Sequence, residues 1–294
     1  MCRLFGQISA SPTSAGDLLV DSERSLLRQA DFDPGNPQRD GWGVAWFEGG
    51  TPRILKSAAP VFDEPRRFAE AASRARSTAV IGHLRAASNP RGIQARRLIR
   101  LDNTQPFTDG RLVFAHNGTL NIPDAVEARL GAYRRRVRGL NDSEVYFWQF
   151  VKHLDGLGSV AEALAACVEE TWDIWRRLPP RGAARRPYTG LNTLVSDGRS
   201  LTALCHYYTA PGCSSIFSPS QPWGFMSMAR RRAATGNGSA PDRVVISSED
   251  LDAGRWERLG ADGPEIVAAE LRGSRLSVRR RPLRELADLP AAAR

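Results

Sequence analysis

Short apolar runs separated by turn residues organise the first part of the chain. Gly49-Gly50 lies between two of these runs. Paired glycines in that place favour a β-hairpin, because both turn positions need a positive φ. The strands predicted from this pattern are residues 2–8, 41–47, 52–56, 78–84 and 111–116.

Apolar residues at helical spacing predict two helices in the same part of the chain. Residues 21–29 carry Leu26 and Leu27 on one helical face. Residues 65–75 begin with a proline, which suits the first turn of a helix, and their apolar residues share one side. We therefore expect short helices between the early strands.

Two longer helices are predicted in the middle of the chain. Asn141 or Asp142 can cap a helix that continues through Leu154, because short polar side chains accept hydrogen bonds from the first turn. Ser159 can cap a second helix that continues through Trp175 in the same way.

The last third of the chain returns to strands. Asp197-Gly198 marks another hairpin, whereas residues 179–186 and 211–242 are rich in Pro, Gly, Ser and Arg and predict surface loops. The late strands predicted are residues 191–196, 201–208, 244–247, 265–271 and 275–280. Strands at both ends with two helices in the middle indicate an α+β fold in layers.

Composition narrows the class of protein. A length of 294 residues suits one large core, and 41% apolar with 25% charged residues excludes a disordered chain. No apolar run approaches the roughly 20 residues of a membrane span, and no signal peptide precedes the first strand. Four cysteines in so long a chain do not form a disulfide framework. We therefore expect a cytoplasmic protein without a membrane partner.

Cys2 directly follows the initiator methionine. Methionine is removed when the next side chain is small, and Cys2 would then carry a thiol and a free α-amine. An α-amine has an ordinary pKa of about 7.7–8.0, so near neutral pH part of it is able to act as a base for the thiol. Considered alone, Cys2 fits better as a small buried residue.

Three further clusters place polar residues at the ends of predicted elements. Arg85 and Ser88 are able to hold a carboxylate through a bidentate fork and one more donor. Asn117 and Gly118 are able to aim a carboxamide and a backbone N–H at one point, as a tetrahedral oxyanion requires. Asp142 either caps a helix or binds an ammonium group. Taken singly, the clusters also fit a solvated loop, a tight turn and a helix cap.

In their order along the chain, these clusters resemble the glutaminase domain of class II glutamine amidotransferases, which are N-terminal-nucleophile hydrolases. The small stand-alone branch, which includes the γ-glutamyl amidohydrolase of ergothioneine synthesis, is the most similar. The resemblance is dense through about residue 144 and sparse after it. The motifs that carry it are Met-Cys-Arg-Leu-Phe-Gly, Asp40-Gly41-Trp42-Gly43-Val44, Gly-His-x-Arg-x-x-Ser from Gly82, Phe-Ala-His-Asn-Gly-Thr-Leu from Phe114 and Asp-Ser-Glu from Asp142.

The resemblance implies a four-layer αββα sandwich. It implies a type-2 amidotransferase domain over residues 1–281, with residues 282–294 as a C-terminal tail. Because this domain takes nearly the whole chain, a synthase that accepts ammonia would have to be a separate protein.

The resemblance also implies a catalytic set. Cys2 would attack the γ-carbonyl group of a glutamyl compound while its α-amine relays the proton. The Asn117 side chain and the Gly118 N–H would form the oxyanion hole. A thioester would form, release ammonia or an amine, and then be hydrolysed to glutamate.

A substrate-binding set is implied as well. Arg85, helped by Ser88, would hold the α-carboxylate of the glutamyl group, and Asp142 would hold its α-ammonium group. These donors and acceptors match a zwitterionic glutamyl head one for one. No cofactor and no metal ion are implied.

The chain departs from the family pattern in two places. Gln105 stands where relatives commonly have histidine, and the segment 211–242 is longer and more basic than expected. The first departure weakens the choice of subfamily, and the second bears on acceptor specificity.

Two other functions stay open. A glutaminase subunit that delivers ammonia to a separate synthase would carry the same residues. A non-catalytic, basic nucleic-acid-binding or scaffold protein would use the net charge of +9 and the arginine runs 134–136, 230–232 and 279–281. No nucleic-acid motif accompanies these runs. Lys56 and Lys152 are the only lysines, so the preference for arginine over lysine also fits a bias in codon usage.

A zinc site is not indicated, because Cys205, His206 and Cys213 lack the spacing of its ligands.

Overall fold

The structure is a computed structural model that describes residues 2–179, 185–208, 215–217, 226–231 and 241–284. Its strands are β1 (Arg3–Thr13), β2 (Trp42–Glu48), β3 (Thr51–Ser57), β4 (Ser77–Leu84), β5 (Phe107–Thr108), β6 (Val113–Asn117), β7 (Asn192–Ser196), β8 (Ser200–Cys205), β9 (Met226–Arg231), β10 (Arg243–Ser247), β11 (Glu257–Leu259), β12 (Glu265–Arg272) and β13 (Arg275–Pro282). Its α-helices are α1 (Pro65–Arg74), α2 (Ala95–Leu98), α3 (Pro123–Glu127), α4 (Asp142–Leu157) and α5 (Val160–Arg177).

These strands form two antiparallel sheets. The first sheet has the order β11-β9-β10-β1-β4-β2-β3, and the second has the order β13-β12-β8-β7-β6-β5. β1 lies at the centre of the first sheet, where Phe5 pairs with Ser247 of β10 and with Gly82 of β4. Hydrogen bonds on both sides therefore fix the first residues of the chain.

Alternating side chains divide the core into three apolar layers. Leu4 and Ile8 of β1 point between the sheets, where they meet residues such as Leu194 of β7. Phe5 points to the opposite face, toward Phe68 of α1. The outer face of the second sheet packs against α4 and α5. The order helix, sheet, sheet, helix confirms the predicted αββα sandwich.

The predicted hairpins and helix caps are confirmed. Gly49 and Gly50 both have positive φ, at 57° and 82°, in the turn between β2 and β3. The Asn141 side chain accepts a hydrogen bond from the Ser143 N–H at the start of α4, and the Ser159 side chain accepts one from Glu162 N–H at the start of α5. Within the described ranges, no helix has the length and apolarity to cross a bilayer.

The helix predicted over residues 21–29 is wrong. A single π-helical turn covers Asp17–Asp21, and a 3₁₀ turn covers Arg28–Ala30. The N–H groups of Leu26 and Leu27 donate to the carbonyl oxygens of Leu18 and Leu19, eight residues back, instead of to helical partners. Burial of the leucine side chains against α1 selects this folded-back arrangement over the helix that their spacing favours.

The surface loop predicted over residues 211–242 is wrong in its middle. Residues 226–231 form β9, which lies between β10 and β11, and the side chains of Met226 and Met228 are buried in the layer between the sheets. Only four consecutive positions of this strand are buried and a run of arginines follows them, so the apolar pattern is too short to be recognised. The described residues exclude most of the remaining loop, part of 179–186 and residues 285–294.

Besides β9 and three 3₁₀ turns, at Val61–Asp63, Leu101–Asn103 and Gly131–Arg136, four short elements were not predicted, namely α2, α3, β5 and β11. β13 continues to Pro282, one residue past the predicted end of the domain. The division into a domain over residues 1–281 and a tail stays a prediction.

Candidate active site

The site is built where β1 begins and β4 ends. Leu4 pairs with His83 of β4, and on the other side its N–H donates to Ser248 Oγ at 3.0 Å. Cys2 therefore lies beside the chain that leaves β4, where its Sγ is 3.4 Å from both the N–H and the carbonyl oxygen of Ala86. The strand register alone brings the second residue of the chain to the loop that follows residue 84.

A cavity of about 160 Å³ opens at Cys2. It is lined by Cys2, Asn36, Ala86, Ala87, Ser88, Asn117, Gly118 and Thr119. Larger hollows of about 430–540 Å³ lie elsewhere on the described surface, but no cysteine lines them. Among these four cavities of the described part of the chain, the small one alone joins a cysteine to hydrogen-bond donors.

Asn117 and Gly118 supply these donors at the end of β6. Within the described residues, neither the Asn117 carboxamide nitrogen nor the Gly118 N–H donates to a protein group, and Asn117 Oδ1 is buried without a partner. Both residues line the cavity at Cys2, so their free N–H groups are available to a ligand there. Two such donors beside a thiol match the requirement of an oxyanion hole.

His116 holds this turn in place. Its Nε2 lies 3.1 Å from the carbonyl oxygen of Gly190, and its Nδ1 lies 2.9 Å from Ser143 Oγ. Because a carbonyl only accepts, Nε2 carries the proton, and Ser143 donates to Nδ1. Burial lowers the pKa of His116 to about 4, so the ring is neutral near pH 7. Gly118 has a φ of +152°, and a Cβ there would overlap the Gly190 carbonyl.

Arg85 lies behind the cavity wall, outside the set of lining residues. Its Nη1 donates to the carbonyl oxygens of Asp40 at 3.2 Å and Leu98 at 2.9 Å. Burial lowers the pKa of Arg85, and the nearby Cys2 and acidic groups oppose that change. Its Nη2 makes no hydrogen bond within the described residues, so this nitrogen has donors left for a ligand.

Asp142, the first residue of α4, lies beside this arginine. Its Oδ2 accepts from Leu120 N–H at 2.8 Å and its Oδ1 accepts from Ser88 Oγ at 3.3 Å. Burial raises the pKa of Asp142 to about 6, although these hydrogen bonds and the charge of Arg85 favour the ionised form. Asp142 is therefore the one group of the predicted set whose charge changes slightly below neutral pH.

Burial also raises the pKa of the Cys2 thiol, against the effects of the Ala86 hydrogen bond and the Arg85 charge. A buried thiol is a weak nucleophile because the thiolate is the reactive form. Cys2 therefore needs a base close at hand, and the neutral His116 is engaged on both ring nitrogens.

The structure brings four of the predicted residues to the cavity and places the other two just behind it. Cys2, Ser88, Asn117 and Gly118 line the cavity. Arg85 and Asp142 reach it through their charges and through Ser88.

Sequence reasoning missed several contributors. Asn36 and Thr119 line the cavity, and Gly190 and Ser143 hold His116. The turn-forming sequence around Asn36 indicates only a loop, and no local pattern connects Gly190 to residue 116.

Comparisons with known proteins identify the family of this chain. The family described as class-II glutamine amidotransferases matches residues 1–263. Gamma-glutamyl-hercynylcysteine sulfoxide hydrolase of Mycolicibacterium smegmatis is 31% identical over 258 residues, which cover 86% of this chain and 88% of that protein. The protein of the same name from Mycobacterium tuberculosis is 32% identical over 126 residues, so 41% of this chain matches half of its length (50%).

Among solved structures, a glutamine aminotransferase class-II domain protein from Silicibacter pomeroyi is similar to this chain. Its TM-score is 0.59 at 18% identity, and the match covers 96% of this chain and 99% of that one. At this identity the likeness shows the fold alone.

Proposed function

The chain belongs to the class II glutamine amidotransferases, and from this premise we propose that it is an amidohydrolase that cleaves the γ-amide of glutamine or of a γ-glutamyl compound. The observation that carries the proposal is the cavity at Cys2, which a buried thiol lines together with two N–H donors that bond to no described group. The names of the mycobacterial relatives support a γ-glutamyl substrate.

The reaction proceeds through a thioester. The Cys2 sulfur attacks the γ-carbonyl carbon, and the electron pair of the carbonyl moves to oxygen, which Asn117 and Gly118 stabilise. The α-amine of Cys2, free once Met1 is removed, takes the thiol proton and gives it to the departing nitrogen. The C–N bond breaks and ammonia or an amine leaves. Water then attacks the thioester, releases glutamate and restores the thiol.

The glutamyl head is held by charge. Arg85 Nη2 and Ser88 bind the α-carboxylate, and Asp142 binds the α-ammonium group. A cavity of about 160 Å³ suits this small zwitterion, and the rest of a γ-glutamyl compound extends outward past the rim. The opposite charges of Arg85 and Asp142 select a substrate with both groups.

The purified chain should hydrolyse glutamine or members of a γ-glutamyl amide panel without a partner, metal ion or cofactor. We expect Cys2→Ala to abolish turnover. Cys167→Ala is the matched control, because Cys167 is also buried but lies in α5, away from the cavity. Turnover in Cys2→Ala, or equal losses in both variants, would contradict a Cys2 nucleophile.

The mass of the intact protein tests the α-amine step by itself. Loss of Met1 is expected, and a retained Met1 on active enzyme would refute the amine relay while leaving Cys2 as nucleophile.

Turnover that appears only with an added synthase would favour ammonia delivery instead. Cytoplasmic fractionation would check the location that the cysteine content favours.

A further inference from the structure

Gln105 is buried directly opposite His116. β5 and β6 pair Phe107 with Phe114, and this register places residue 105 opposite residue 116. The backbone ladder stops there, and the Gln105 side chain replaces it. Its Oε1 accepts from the His116 N–H at 2.6 Å, and its Nε2 donates to the His116 carbonyl oxygen at 3.0 Å. One amide side chain therefore satisfies both backbone groups of the residue that precedes Asn117.

Asn103 makes a similar set of contacts two residues earlier. Its Oδ1 accepts from the N–H groups of Leu140 at 2.6 Å and Asn141 at 3.1 Å. Its Nδ2 donates to the carbonyl oxygens of Arg97 and Leu98, each at 3.0 Å. The Asn103 carbonyl also accepts from Asn141 Nδ2 at 2.7 Å. This side chain thus ties the cap of α4 to the Leu98 carbonyl.

The contacts of Asn103 lead to the substrate-binding residues. The Leu98 carbonyl oxygen is one of the two acceptors that hold Arg85 Nη1. Asn141 caps α4 immediately before Asp142. One buried asparagine therefore fixes the supports of both charges that face the glutamyl head.

The backbone around Gln105 is itself held from the other side. Lys56 Nζ donates to the Thr104 carbonyl oxygen at 2.7 Å. Gly43 lies so close that a Cβ there would overlap the Gln105 carbonyl and stand 2.6 Å from Pro106 Cδ. The close approach explains why glycine, and no larger residue, occupies position 43.

We propose that Asn103 and Gln105 are positioning residues for the glutamyl site. Gln105 fixes the peptide unit that carries Asn117, and through it the direction of the oxyanion donor. Asn103 fixes Arg85 and Asp142. Neither residue lines the cavity. Unlike Arg85, which keeps Nη2 for a ligand, both have side-chain amides whose oxygen and nitrogen are engaged with backbone groups, so both act through the groups they hold. The inference rests on the proposed function and extends it to residues that touch no substrate.

The two residues act on different kinetic constants. A donor that meets the oxyanion only in the transition state affects kcat more than substrate binding. A displacement of about 1 Å at a reacting centre costs on the order of 10²-fold in rate. We therefore expect Gln105→Ala to lower kcat by roughly 10- to 100-fold with little change in KM. Asn103→Ala should instead raise KM, because the charge partners of the substrate move.

Gln149→Ala is the matched control for both variants. Gln149 is equally buried, and its Nε2 donates to Glu170 at 2.9 Å and Thr171 at 3.3 Å, between α4 and α5 and away from Cys2. It should lower the melting temperature but leave kcat and KM near the wild-type values. If Gln149→Ala lost as much kcat as Gln105→Ala, general destabilisation would explain both losses, and the proposal would be overturned.

A double-mutant cycle tests whether Gln105 acts through Asn117. In the Asn117→Ala background, Gln105→Ala should lower kcat by less than about threefold, because the group it positions is gone. Multiplicative losses would overturn the proposed route.

Gln105→Glu is the substitute test if the alanine variant does not fold, because glutamate keeps the shape of the side chain and its acceptor oxygen. Its kcat relative to wild type should be low at neutral pH and rise as acid restores a donor, and a constant ratio would overturn the inference.

The proposed function and this inference fail separately. Wild-type turnover that disappears in Cys2→Ala supports the function whatever Gln105 does. Given that turnover, a Gln105→Ala enzyme with wild-type kcat overturns the positioning role alone.

Discussion

A methyl group at Gly118 should disable the oxyanion hole. Gly118 has a φ of +152°, and a Cβ there would overlap the carbonyl of Gly190 and lie 3.0 Å from His116 Nε2. That carbonyl is the acceptor that holds the His116 ring at 3.1 Å. Gly118→Ala therefore pushes apart the turn and the group that anchors it.

The expected magnitude follows from the size of that displacement. Relieving the overlap requires the turn and the Gly190 carbonyl to separate by about 1 Å, and such a shift costs on the order of 10²-fold in rate. Loss of one oxyanion donor costs about 10²–10³-fold in kcat. We expect Gly118→Ala to lower kcat by at least about 100-fold with a smaller change in KM. The strained backbone adds a stability loss on the order of 1–3 kcal/mol.

Steady-state hydrolysis and thermal unfolding measure the two effects. Gly110→Ala is the control, because Gly110 also has a positive φ, of 94°, but no atom lies within 4 Å of a Cβ there. It should lose stability without a loss of kcat. A Gly118→Ala enzyme with kcat within about threefold of that of Gly110→Ala would show that Gly118 does not shape an oxyanion hole.

Four further substitutions test the charges and donors of the site and of the helical layer. Asn117→Ala should lower kcat by about 10²–10³-fold, and a rise in KM alone would argue against an oxyanion donor. Arg85→Ala should raise KM by roughly 10-fold or more, since a charge-assisted hydrogen bond is worth about 1.5–3 kcal/mol, and an unchanged KM would remove its carboxylate contact. Burial raises the pKa of Asp142 to about 6, so kcat/KM should fall as the pH falls through 6. This acidic limb of the pH profile should vanish in Asp142→Asn. An acidic limb that persists in that variant would belong to another group. Burial acts to raise the pKa of Glu170, but hydrogen bonds from His153, Lys152 and Gln149 bring it down to about 2. The Glu170 carboxylate therefore stabilises the fold above about pH 4.5 and loses that effect toward pH 2. Glu170→Gln should therefore lower the melting temperature at pH 7 with a gap that closes in acid, and an equal gap at both pH values would exclude this ionic contribution.

Local sequence patterns predicted the elements whose ends are set by turn or capping residues. The turn at Gly49-Gly50 and the cap at Asn141 are examples, because positive φ and helix capping depend on neighbouring residues only. The predicted helix over residues 21–29 and the predicted loop over β9 failed for the opposite reason. Contacts with α1 and with β10 decide those segments, and these contacts come from distant parts of the chain.

The site was predictable as far as its motifs reach. The spacing of Cys2, Arg85, Asn117 and Asp142 carries the resemblance, and the structure brings these residues together. Asn36 and Gly190 gave no sequence signal, because a lining asparagine and an accepting carbonyl have no characteristic neighbours. From the sequence, Gln105 is only a departure from a family pattern and has no predicted role.

The sequence alone therefore predicted the groups of the proposed chemistry: a cysteine next to the initiator methionine, two candidate oxyanion donors and a pair of opposite charges for a glutamyl head. Their relative positions depend on the tertiary structure. The pairing of β1 with β4 brings Cys2 to Ala86, and the hydrogen bonds of Gln105 and His116 fix the direction of Asn117. Side-chain identity sets what a group can donate or accept, whereas its distance and orientation depend on residues far away in the chain.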